Sequence, residues 1–413
     1  MTKHRSGADK GHRLALRHVV VAVCALIACP WSAAAQSVET AEGGLTPRQV
    51  LLRRTSAAGD GTGVSNIGEL IADLVGLDVS TSPIGSSAGG FTFTFDPATR
   101  SFTRAAPSFG PMFGERAITA GEGRASFGIN YIHRTYDDLD GMNLRDGTFQ
   151  TVSLDAAGTP AFVGRAELDI KTDTLVVFTN IALNRWFDAG VAVPFVNLQI
   201  DGTHTLADRQ AAGAASAFGV GDIALRAKVR LYQQEQGGVA LGVDFRLPTG
   251  DHDAMLGAGI SRTLVSGVWS AAIGRISPHA SLGFEYWSDP FEVYDPLQQA
   301  TVAAGRHGVN YDAGVEWAAG DRVTINGEFI GRTVRDGGRI TYTDLPLSPN
   351  PFRLTSVAIA SVDPRGLHQT SVAAGIKWNF AGTALLTANV VLPMNDAGLR
   401  DRFTPIVGLD WGF

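Results

Sequence analysis

Cysteine is scarce in this 413-residue chain: Cys24 and Cys29 are its only two, and both lie near the N-terminus. The rest therefore has no disulfide framework to build and no thiol chemistry to perform. Charge is thin as well, at 18 % Asp, Glu, Lys and Arg, whereas glycine is abundant at 49 residues. Beyond the N-terminus there is no apolar run of the roughly 20 residues that a spanning helix needs. That rules out a helical membrane protein but leaves a membrane barrel open. Excess positive charge is missing too. The formal net charge is −6, which argues against a nucleic-acid partner.

The first 35 residues read as a cleaved signal peptide. Lys3, Arg5, Lys10, Arg13 and Arg17 form a basic n-region, Val19 to Ala28 is a short apolar stretch, and Ala33, Ala34 and Ala35 precede the expected cut before Gln36. Leu26-Ile27-Ala28-Cys29 has the form of a lipobox and offers lipidation at Cys29 as the alternative. Ordinary cleavage removes both cysteines, five basic residues and one acidic one, leaving a net charge near −10.

Residues 36–120 differ in kind from the remainder of the chain. Thr46-Pro47-Arg48-Gln49 has the cap, the N1 proline and the third-position glutamine of a helix start. Asn66 to Leu77 sets Ile67, Leu70, Ile71, Leu74 and Val75 at helical spacing, an amphipathic helix that needs a surface to lie on. Phe91-Thr92-Phe93-Thr94-Phe95, a turn at Asp96–Thr99 and Phe102 form a hairpin pattern. This stretch is expected to be a periplasmic extension, a plug, or two further strands. Phe91, Phe93, Phe95 and Phe102 are its candidate plug or ligand contacts.

From residue 121 to 413 the pattern becomes regular. About a dozen segments alternate apolar and polar residues, each near the roughly 9–11 residues that a tilted strand needs to cross a bilayer. Val239, Leu241, Val243, Phe245 and Leu247 oppose Asp244 and Arg246; Val309, Tyr311, Ala313, Val315 and Trp317 oppose Asn310, Asp312 and Glu316. The segment over 187–200 changes face around Pro194, which predicts a bulge there. Links alternate in length. Long ones fall at 136–167, 201–218, 249–258, 288–306, 334–366 and 394–402, and short ones between them, as in barrels with long external loops and short periplasmic turns. The fold class expected is all-β: a transmembrane antiparallel up-and-down barrel of about twelve strands, with about fourteen as the alternative. Trp186, Trp269, Trp287, Trp317, Trp378 and Trp411 are expected in interfacial belts.

The final strand, Thr404 to Phe413, puts Pro405, Val407, Leu409, Trp411 and Phe413 on one face. Its aromatic end resembles the C-terminal signature of bacterial outer-membrane barrels, which makes Trp411 and Phe413 the expected membrane-insertion signature and the barrel-assembly machinery an expected partner. Two further stretches resemble the outer-membrane family grouped under meta-pathway phenol degradation. They are Ser108 to Ala117, and Gly221 to Arg230 followed by Leu247-Pro248-Thr249-Gly250-Asp251 and Leu256 to Gly259. The family is distantly similar to long-chain fatty-acid transporters. The resemblance implies a barrel in outer-membrane lipid that passes small hydrophobic or aromatic solutes.

The expected lumen-lining residues are Asp222, Arg226, Arg230, Asp244, Arg246, Asp312 and Glu316, either along a permeation path or as ion pairs filling a narrow barrel. The histidines lie near no nucleophile motif, and Asp251-His252-Asp253 reads first as a polar loop tip. No cofactor or metal is expected, and no catalysis. The function expected is facilitated diffusion. A closed structural or surface-interaction barrel is the alternative, and a barrel hydrolase comes third.

Overall fold

The computed structural model describes residues 37–40, 44–55, 66–82, 86, 90, 93–96, 101–104, 106–147, 149–154, 160–206, 209–234, 237–290, 292–295, 300–303, 307–335, 337–346, 356–363 and 365–413. The signal segment and Phe91 lie outside these residues. The N-terminal part runs β1 (Ser37–Thr40), α1 (Pro47–Thr55), α2 (Asn66–Ser80), β2 (Phe93–Asp96) and β3 (Ser101–Arg104). Next come β4 (Ala125–Leu139), β5 (Met142–Asn143), β6 (Phe149–Leu154), β7 (Pro160–Asn184), β8 (Phe187–Leu206) and β9 (Arg209–Val220). They are followed by β10 (Ala224–Gln234), β11 (Gly237–Arg246), β12 (Arg262–Ala271), β13 (Ile276–Trp287), β14 (Glu292–Asp295) and β15 (Ala300–Ala303). The rest are β16 (His307–Gly320), β17 (Val323–Val334), β18 (Arg339–Pro346), β19 (Ser356–Asp363), β20 (Leu367–Asn379), β21 (Ala384–Pro393), β22 (Leu399–Asp401) and β23 (Thr404–Gly412).

Twelve antiparallel strand positions close into a barrel. The last strand completes the ring on the first: Val407 lies opposite Tyr131, and Trp411 opposite Phe127. Phe413 seals the seam, its N–H donating to the Ala125 carbonyl at 2.9 Å. Closure matters because an open sheet edge would leave backbone groups unpaired in hydrocarbon. The alternation of long and short links holds. Tight turns join β12 to β13 and β20 to β21, where Gly274 and Gly382 take φ of +60° and +75°, the left-handed region that favours glycine. On the other end, the ladders β14–β15 and β18–β19 extend two of the long loops.

The outward face is apolar around the ring. Leu241, Trp269, Leu282, Phe284, Val315, Trp317, Ile376, Trp378, Val407 and Trp411 are all exposed, Leu282 at 64 %. A chain surrounded by water would not leave so many large apolar side chains uncovered; hydrocarbon covers them, as in an outer-membrane barrel. Trp287 departs from the expected belt. It is 1 % exposed and faces inward, on the same side of its strand as Glu285.

One wall position is split. β8 pairs with β10 through residues 187–192 and with β9 through residues 195–206. The bulge expected at Pro194 is not there: the β7–β8 register runs unbroken through Val176↔Pro194. The irregularity sits in the partner instead, where Gly221 to Ile223 leave the ladder and the Gly221 N–H donates to the Pro194 carbonyl at 2.8 Å. The far edge of β9 is taken by β1, with Ser37 opposite Phe218 and Thr40 opposite Ala215.

Candidate functional site

The lumen is occupied by residues of the N-terminal segment, in two layers. The outer layer is helical. Thr46 and Gln49 cap α1 reciprocally, Thr46 N–H to Gln49 Oε1 at 3.0 Å and Gln49 N–H to Thr46 Oγ1 at 3.3 Å, as their spacing predicts. α2 buries Leu70, Ile71, Leu74, Val75, Leu77 and Val79 among inward-facing Tyr136, Leu168, Ile170, Leu198, Val334 and Leu399. The surface this amphipathic helix needs is thus the inner wall of the barrel. Gly76 passes so close to the 256–258 loop that a Cβ there would sit 2.5 Å from the Gly257 carbonyl oxygen. Arg48 pairs with Asp73 at 2.7 Å, and His252 approaches the same carboxylate at 3.7 Å, so the 251–253 loop docks on the helices. Burial raises the Glu69 carboxyl above its ordinary range, Arg48 opposes that rise, and Asp73 adds to it.

The C-terminus of α2 ends on a girdle of arginines. The guanidinium of Arg246 donates to the Ser80 carbonyl, and Arg262 donates to Ser80 Oγ at 2.6 Å and to Thr81 Oγ1 at 3.0 Å. Arg262 and Arg332 share Glu285, at 3.1 and 2.9 Å. Arg332 also lies over the Trp287 ring at 5.5 Å. Farther round, Arg134 and the Tyr136 hydroxyl both reach Asp78 Oδ2, at 3.1 and 2.7 Å. Cations at a helix C-terminus complement its carbonyls and its dipole.

The inner layer is extended chain held by charged wall side chains. Glu328 accepts three backbone N–H groups in succession, from Met112 at 2.7 Å, Phe113 at 2.9 Å and Gly114 at 2.8 Å. Glu316 takes the Gly110 N–H at 3.1 Å and pairs with Arg116 in a bidentate contact. Lys377 donates to the Pro111 carbonyl at 2.8 Å, and Lys228 to the Arg116 and Ile118 carbonyls, each at 2.9 Å. Glu115 bridges Arg226 and Lys228 at 2.9 and 3.1 Å. Each of these wall charges thereby meets a partner, as desolvated ions require.

The anticipated residues take distinct places. Arg226 and Asp244 form an ion pair at 2.8 Å beside Glu115. Asp312, next to Gly114, accepts the Ser281 hydroxyl, and Glu316 is fully buried. Asp222 lies in the break between β9 and β10, where its carboxylate accepts the Gly250 and Ala258 N–H groups at 3.0 and 2.9 Å and ties down the 249–258 loop. Arg230 sits at the end with the short turns, over the Trp186 ring at 5.1 Å. The hairpin forms between β2 and β3 with Phe95 opposite Phe102; the side chains of Phe93, Phe95 and Phe102 lie outside the described residues. Trp411 and Phe413 are exposed on the outward face at the seam. Arg262 and Arg332 are site residues that sequence reasoning passed over. Strand parity alone puts Glu328 inward, in step with Asn326 and Thr324.

Among the described residues no group of three or more His, Cys, Asp and Glu side chains is arranged to hold a metal ion. Fold and lumen together define a β-barrel of the outer-membrane type with residues of its N-terminal segment inside. Residues 149–339 match the family described as "Putative MetA-pathway of phenol degradation", a stretch that contains the Gly221–Arg230 and Leu247–Asp251 motifs and not Ser108–Ala117. No curated protein matches the chain in sequence. In fold it is similar to an outer membrane channel from Pseudomonas putida, with 11 % identity over 70 % of this chain and 95 % of that one and a TM-score of 0.43. It is also similar to the CymD monoaromatic hydrocarbon channel, with 10 % identity, 71 % and 89 % coverage and a TM-score of 0.34. A Pseudomonas aeruginosa FadL homologue gives 12 % identity, 70 % and 88 % coverage and a TM-score of 0.30.

Proposed function

We propose that the protein is an outer-membrane channel for facilitated diffusion of small hydrophobic or aromatic solutes, with its own N-terminal segment as the plug. The observation that carries this reading is the construction of the lumen. Its polar wall residues are spent on the backbone of residues 109–118, a strand of chain that threads the barrel without belonging to its wall. A barrel built only as a shell would fill its interior with its own side chains. Solute collects among the external loops and the apolar outer layer, then passes when the inner segment shifts. In this reading the signal is cleaved after Ala35, and the exposed Trp411 and Phe413 are read by the assembly machinery and rest in outer-membrane lipid. No catalytic step is assigned.

A second reading, a closed structural barrel, is favoured by the buried ion pairs that hold the segment in place. Liposome flux separates the two. Removal of residues 37–120 should raise the flux of small aromatic solutes several-fold over the full chain. Removal of 37–105 alone should raise it much less, because 106–120 still fills the inner lumen. Flux that stays at the level of empty liposomes in both variants would establish the closed barrel instead.

A further inference from the structure

Between α2 and the wall of β17, β20 and β22 the lumen keeps a cavity of about 140 Å³. Its apolar lining is Leu74 and Leu77 from the helix with Ile330 and Leu399 from the wall, and its polar lining includes Arg332 and Arg400. That volume is close to the roughly 150 Å³ of an apolar cavity that admits benzene. Unlike such a cavity, this one carries surplus cationic donors. The Nε of Arg332 and the Nε of Arg400 are both buried and have no hydrogen-bond partner. Arg400 hydrogen-bonds only to neutral acceptors, the Thr370 carbonyl at 3.3 Å and Asn395 Oδ1 at 2.6 Å, while the carboxylates of Asp78, Asp138, Asp140 and Asp396 act on it from farther off. Arg332 has to share Glu285 with Arg262. The one carboxylate in the lining, Asp78, is already engaged by Arg134 and Tyr136. Buried donors without acceptors are costly, and a guanidinium is shaped to receive a carboxylate.

We infer that this cavity is a binding site for a small carboxylate with an apolar body of one-ring size. The ring would lie against Leu74, Leu77, Ile330 and Leu399, and the anionic group would be taken by Arg332 and Arg400. The inference deepens the channel reading by naming a solute class, and rests on that reading only for the site's part in transport. Binding itself is tested apart from flux.

Benzoate is a suitable probe, with benzyl alcohol as its uncharged counterpart, titrated calorimetrically into the detergent-solubilised full chain. Benzoate should bind at least about tenfold more tightly than benzyl alcohol, the preference expected of charge-assisted hydrogen bonds. Arg400→Gln and Arg332→Gln should each erase most of that preference and leave benzyl alcohol unaffected. Retained heat-modifiable migration on gels would establish that the variant barrels are folded. Equal binding of the two probes, or a benzoate preference unchanged in both folded variants, would overturn the assignment. No benzoate preference in the unaltered chain, with plug-dependent flux of neutral aromatics intact, would sink this inference and spare the channel. Benzoate binding without plug-dependent flux would do the reverse.

Discussion

The outer and inner lumen are filled by neighbouring parts of one segment, and they hold it by different means. Outside, α1 and α2 present aliphatic side chains to an apolar wall, and ionic groups meet them only at Asp73 and around the C-terminus of α2. Inside, residues 109–118 present mainly backbone, and the wall answers with glutamates and lysines. Hydrophobic contact is non-directional and tolerates a sliding or tilting helix. Hydrogen bonds from backbone to a fixed carboxylate are directional and tolerate little displacement. The outer layer is therefore suited to yield to a solute, and the inner layer to fix the plug in register.

Replacing Glu328 is the strongest way to break that contrast. Glu328→Ala leaves three successive N–H groups, two of them buried, without their acceptor, a loss of about 1–3 kcal/mol for each buried one. The inner segment should leave its place, and single-channel conductance in planar bilayers should rise several-fold. Unchanged conductance would mean that the helices alone hold the plug.

Ile71→Ala sharpens the comparison from the other side. Ile71 is fully buried in the outer layer, so truncation should cost about 2–5 kcal/mol of local packing. Limited proteolysis should then cut between residues 47 and 80 much faster than in the parent. Conductance should stay low, because the glutamate cradle is untouched. A conductance rise as large as that of Glu328→Ala would erase the distinction between the layers.

The barrel was legible because its signal is local. Period-2 faces and the alternation of link lengths are written along each strand, and they place Arg226, Asp244 and Glu316 inward without any knowledge of partners. The lumen was legible only in part, because its chemistry is non-local. Glu328 binds backbone more than 200 residues away, and a backbone acceptor leaves no mark in the sequence. Arg262, Arg332 and Arg400 gather only after the register sets β12, β17 and β22 at one level round the ring. Trp287 was a different case. Its parity with Glu285 gives its inward direction, but its place at a strand end suggests an interfacial belt. Asp222 sits in a ladder break that looks, residue by residue, like uninterrupted strand.

The smallest effect belongs to the start of the outer layer. Thr46 and Gln49 satisfy two otherwise unpaired N–H groups of α1, and loss of such a cap costs about 1 kcal/mol. In Thr46→Ala, amide hydrogen exchange should speed up about fivefold for residues 48–51, as that energy implies for local opening. Exchange in α2 should not change, since its anchors are Leu70, Ile71 and the arginines at Ser80. Conductance should match the parent. Faster exchange reaching α2 would show instead that the two helices open as one unit, and the outer layer would then be a single cooperative lid resting on the fixed inner chain.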